Sequence, residues 1–67
     1  MSVIKIVELI GVSDQGFEAA TQKALTEASK TIRNISGIHV KGFTCEVKDN
    51  KIVNYKANVK IAFLVER

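Results

Sequence analysis

This sequence of 67 residues has no tryptophan and no proline, and cysteine and histidine occur once each. A single cysteine, Cys45, excludes an internal disulfide and a paired thiolate metal site. In an apolar strand such a thiol reads as an inert small hydrophobe. The scarcity of cysteine suits a reducing, cytoplasmic setting. Without proline and with only four glycines, the chain has no linker or disordered segment in its composition. No apolar run approaches the roughly 18 residues of a membrane span. The apolar start, MSVIKIVELIG, is broken by Lys5 and Glu8 and lacks a small-residue cleavage site, so it reads as a strand rather than a signal peptide. The lone histidine, His39, lies between Ile38 and Val40 with opposite polarity, as a side chain facing water would. Ser13 and Ser36 have no histidine placed to activate them. GVSDQG lacks the ending of a phosphate loop, and the acidic residues do not follow calcium-loop spacing. These gaps exclude a familiar catalytic constellation and point away from an enzyme. Four aromatics, a net charge of +3 and no recognition motif argue against nucleic-acid binding.

What is present is strong patterning in a single domain, residues 1–67. From Val3 to Ile10 apolar residues occupy both parities, Val3, Val7 and Leu9 against Ile4, Ile6 and Ile10, which predicts a strand apolar on both faces. The stretch GVSDQGFEAATQKALTEASKTIRNISG predicts one helix. Ser13 is the expected N-cap, Asp14 and Glu18 favour the positive end of the dipole, and Lys30 and Arg33 the negative end. Phe17, Ala20, Ala24, Leu25, Ala28 and Ile32 form one apolar stripe, and Gly37 is the expected stop. A second strand sets Ile38 and Val40 on one parity and Phe43, Cys45 and Val47 on the other. The switch at Gly42 predicts a bulge or bend. Lys48 to Lys51, KDNK, is a hairpin turn. The last strand runs from about Ile52 to Glu66, with Tyr55, Ala57, Val59, Ile61, Phe63 and Val65 on one face and Ala62 and Leu64 on the other.

The order is β–α–β–β, an α+β fold. The last two strands form an antiparallel hairpin. A right-handed crossover through the helix makes the first strand parallel to the second, and the long last strand fits between them, antiparallel to both. One helix covers one sheet face. The other face, with its Val, Ile and Leu, would exceed the few hundred Å² of apolar patch found on a soluble monomer. Small chains of this size are marginal alone, so the missing cover is expected to be further copies of the protein. On the last strand Lys56 and Lys60 alternate with Asn54 and Asn58 on one face. That column is either solvated or, repeated by symmetry, a cationic lining that draws anionic ligands.

VELIGVS, the alanine-bearing helix FEAATQKALTEASKTIRNI, HVKGF and NYKANVKIAFLVE together resemble a dodecin over residues 3 to 66. The resemblance implies a β–α–β–β fold with the three-stranded antiparallel sheet partly wrapped around the helix, and a hollow homododecamer. It further implies a protein that binds or stores flavin (riboflavin, FMN or FAD), or coenzyme A in some members, and that is not an enzyme. It places four residues at flavin-contacting positions. Gly37 stands where flavin binders carry the stacking tryptophan. Lys56 stands where they carry a glutamine that hydrogen-bonds the ring edge, and Thr44 and Leu64 stand where arginines are frequent. A branch of the family that lacks the tryptophan is described as binding calcium. The alternative implied is therefore a structural or calcium-binding shell without flavin, whose metal ligands the sequence leaves unassigned.

Overall fold

The computed structural model describes residues 3–65. Four elements follow in order: β1 (Val3–Ser13), α1 (Phe17–Ser29), β2 (Ile35–Lys48) and β3 (Lys51–Val65). They form one three-stranded sheet in the order β1-β3-β2. β3 is antiparallel to both neighbours, pairing Val3 with Val65 at one end of β1 and Ser13 with Tyr55 at the other. The expected architecture and strand order are thus found. The expected end of the last strand at Glu66 lies outside the described residues.

The alternation of β3 sorts the sheet into two faces. Ala57, Val59 and Ile61 are buried against Ala20, Ala24 and Ala28 of α1. Val7 and Leu9 of β1, Ile32, and Ile35 and Val40 of β2 pack around this core. The alanine stripe lets the helix lie close to the sheet. Its closest approach is at Gly11, where a Cβ would overlap the Ala20 carbonyl oxygen and stand 3.0 Å from Ala24 Cβ. Phe17 closes the N-terminal end of this layer, its ring 4.7 Å from Phe43 and 5.0 Å from Tyr55.

The helix ends differ from the sequence reading. Ser13 is not the N-cap: β1 continues through it by pairing with Tyr55, and its Oγ accepts from the Gln15 N–H within the connecting turn. The cap is Gly16, at φ 131°, a conformation open to glycine; its carbonyl accepts from the Ala20 N–H at 3.0 Å. Gly37 is not the stop either. The helix closes at Ser29, with the Thr31 and Ile32 N–H groups donating to the Ala28 carbonyl. Asn34 then turns the chain at φ 63°, and its carbonyl accepts from the Leu64 N–H, which starts the sheet before Gly37 is reached.

The hairpin signals hold. Asp49 and Asn50 adopt φ 52° and 64°, the two left-handed residues of a type I′ turn. The register shifts between Val40 and Gly42, the bulge expected at Gly42. Cys45, read from the sequence as an inert small hydrophobe, is exposed, on a strand that the helix barely touches.

One chain leaves much of itself uncovered. The accessible surface is 5130 Å², against about 4,200 Å² for a compact monomer of this mass. The radius of gyration is 13.7 Å, against about 11 Å for a compact chain of this length. Among the described residues only Ile61 and Val59 are large side chains in full burial. The helix lies over β1 and β3 and barely touches β2, so even the covered face is open over that strand. Among the described residues no helix is long and apolar enough to cross a membrane.

Candidate ligand-binding face

The sheet face turned away from α1 gathers the polar residues of β3. Tyr55 and Ala57 point to the helix layer, so Lys56 points away from it, and Asn54, Asn58, Lys60, Ala62 and Leu64 share its parity. Lys56 and Lys60 are half-buried. Lys56 lies between Thr44 on β2 and Val12 on β1; Lys60 lies between His39 and Glu8. Asn54 Nδ2 donates to Glu46 Oε1 at 2.8 Å.

Among the described residues, the bulge at Gly42 gives this face its one tie between β1 and β2. Lys41 Nζ donates to Glu8 Oε2 at 2.6 Å, although β1 and β2 are separated by β3 and so by about 10 Å. The hydrogen bond and the charge of Lys41, with a smaller contribution from Lys60, hold the Glu8 carboxyl below its ordinary pKa. Among the described residues the only other ion pair joins Lys30 and Glu27 on the helix. Lys56 therefore has no carboxylate partner there. Alternation and hairpin chemistry made the lysine column readable. The Glu8–Lys41 tie was not, because the bulge sets the lysine out of phase with its strand.

All four residues assigned by resemblance lie on this face. Gly37 opposes Ala62, Thr44 opposes Lys56, and Leu64 opposes Ile4. Thr44 and Lys56 are directly opposed, and Gly37, opposite Ala62, lies diagonally across from Leu64 at the other end of the strand. Lys56 and Leu64 are eight residues apart on one strand, about 27 Å, so a single chain does not bring the four into one pocket. Gly37 also borders an open cleft of about 490 Å³ at the β2 edge, lined by Leu25, Thr26, Ser29, Ile35 and Ile38. Among the described residues no group of three or more His, Cys, Asp and Glu side chains converges as metal ligands would.

Beside the polar column runs an apolar one. Ile4, Ile6 and Ile10 of β1 are 57%, 57% and 62% exposed, and Val12 continues the row. The sequence model of the Dodecin family matches residues 3–66. This chain belongs to the dodecin family. It is 36% identical to the dodecin of Thermus thermophilus over 64 residues, 96% of this chain and 93% of that one. Solved dodecins superpose closely. An arginine-to-alanine variant of the T. thermophilus dodecin has a TM-score of 0.95 at 34% identity, covering both chains in full. The dodecin of Streptomyces coelicolor has a TM-score of 0.95 at 24% identity, covering 98% of this chain and 94% of that one. A calcium-chelating dodecin of Mycobacterium tuberculosis shares the fold at a TM-score of 0.85 and 23% identity, over 97% of this chain and 93% of that one. The dodecin fold is thus shared by a chain named for calcium chelation and by others whose names state no ligand.

Proposed function

We propose that twelve copies of this chain close into a hollow cytoplasmic shell that binds and buffers a small ligand, without catalysis. The carrying observation is the row Ile4, Ile6, Ile10 and Val12, exposed on a sheet face that no element among the described residues covers. The excess surface and the elongated shape, 52 × 19 × 13 Å, support the same reading. Neighbouring copies supply the missing layer, and the polar column of β3 then lines spaces between copies.

Flavin is the ligand class the family suggests, and this chain meets it with a weakened site. Glycine at position 37 offers no surface for stacking, an interaction worth about 1–3 kcal/mol per base in nucleic-acid systems. The T. thermophilus dodecin has been solved with a substitution at a tryptophan and, separately, at two arginines. Their spacing along that chain, 7 and then 20 residues, is also that of Gly37, Thr44 and Leu64, which supports the correspondence. None of the three side chains is retained here.

Two measurements on gently purified protein test the proposal. Light scattering at micromolar concentration is expected to give a particle twelve times the 7.4 kDa chain; a stable folded monomer would sink the shell. Riboflavin titration is expected to show weak binding that Gly37→Trp strengthens about tenfold or more, with quenching of flavin fluorescence. A Cβ at Gly37 meets nothing within 4 Å, so the chain has room for the change. Equal affinity in the two proteins would remove Gly37 from the site.

A further inference from the structure

We propose that Lys56, with Thr44 opposite it and Asn58 beside it, forms an oxyanion site that takes the phosphoryl group of a small ligand. The inference rests on the shell reading, since enclosure by neighbouring copies is what would lift a half-buried lysine above an ordinary surface charge. Three observations carry it. Lys56 is half-buried on the helix-free face, yet no carboxylate lies within ion-pair distance of it among the described residues. Lys60, two residues beyond Asn58, is different: Glu8 is its direct cross-strand neighbour. The nearest carboxylate on the β2 side, Glu46, is already engaged by Asn54.

The groups around Lys56 match an oxyanion rather than a metal or a neutral ring edge. The Lys56 ammonium brings three donors. The Thr44 hydroxyl, on the residue directly across the ladder, can donate one more, and the Asn58 amide a further one. The other flank is Val12, which contributes no competing acceptor. A doubly charged phosphoryl group satisfies an ammonium and a hydroxyl together and gains from charge-assisted bonds. A cation would meet repulsion from Lys56 and Lys60 alike. Symmetry in the shell would repeat the ammonium group and raise the local positive potential.

The experiment titrates inorganic phosphate into the assembled protein, followed by phosphorus NMR and calorimetry, with light scattering on the same samples. Phosphate is expected to bind, to weaken as salt rises, and to bind about tenfold more weakly to Lys56→Gln. Lys56→Arg is expected to retain it. Lys23→Gln removes the same charge from the exposed face of the helix and is expected to change nothing. FMN should displace phosphate and riboflavin should not. An intact particle in which Lys56→Gln binds phosphate as wild type does would overturn the site and leave the shell standing. Displacement by riboflavin would also overturn it, since the position would then hold a flavin ring. A monomer whose phosphate binding still depends on Lys56 would retain the site and overturn the shell.

Discussion

At Gly11 a side chain is excluded by backbone, not by neighbours that could move. The Ala20 carbonyl oxygen occupies the space of a Cβ, and Ala24 Cβ is 3.0 Å away. Helix and sheet approach this closely because the facing residues are Ala20 and Ala24, and a core with only two large buried side chains depends on that approach. Gly11→Val must therefore push α1 off β1, and is expected to cost about 3 kcal/mol, at the upper end of overpacking changes. Gly42→Ala is the matched control, because a Cβ there meets nothing within 4 Å; its effect is expected to stay within about 1 kcal/mol. Thermal or denaturant unfolding followed by circular dichroism distinguishes the two. Equal loss in both would mean that Gly11 matters for some reason other than the helix contact.

The strands were legible in the sequence because a buried face repeats at every second residue, and β3 keeps that rhythm from Tyr55 to Phe63. The turn was legible because Asp and Asn are the residues that tolerate positive φ, and both do so here. The helix ends were not. Ser13 has good capping chemistry, but its ladder pairing with Tyr55 outweighs that local preference, and Gly16 is chosen for a dihedral that no periodicity signals. The four residues named by resemblance carried no periodicity of their own: the register shift between Val40 and Gly42 brings Gly37 and Thr44, of opposite parity on β2, to one face, and the pairing sets Thr44 beside Lys56 and Gly37 near Leu64 at the far end. The Glu8–Lys41 tie was hidden for a related reason, since it joins two strands that are not neighbours. Its pH dependence follows from sign. The folded-state pKa of Glu8 is lowered, so the tie contributes above the unfolded carboxylate pKa and is lost as pH falls through the lowered folded value. Both side chains are substantially exposed, so the contribution is small. Glu8→Gln is expected to lower the melting temperature slightly at pH 7, by an amount that shrinks as pH falls through the lowered folded value. A difference that persists unchanged into acid would show that Glu8 acts through something other than its charge.

At the scale of the whole molecule the apolar row of β1 decides whether one chain is enough. Ile4, Ile6 and Ile10 are each more than half exposed. Covering what they leave open is worth about 3–5 kcal/mol per chain at the usual return for buried aliphatic side chains, a large share of the stability of so small a domain. The helix-side face is open over β2 as well, with Phe43 and Ile38 partly exposed there, so cover is missing on both sides of the sheet. A charge set into the row meets whatever lies over it. Ile6 opposes Ala62 and has Glu8 two residues along the same strand, so Ile6→Glu would bring a second carboxylate into the row. If neighbouring copies cover this face, that carboxylate must be desolvated without a partner, at a cost of several kcal/mol for each copy. Ile6→Glu is therefore expected to give small, poorly folded species at neutral pH by light scattering and circular dichroism, and to regain some assembly in mild acid, where the new carboxyl is neutral. Lys23→Glu, on the exposed side of α1, is expected to leave the particle intact. If Ile6→Glu gave the same particle as wild type at neutral pH, the helix-free face would be turned to water, and the copies would have to meet through the open helix-side face over β2 instead.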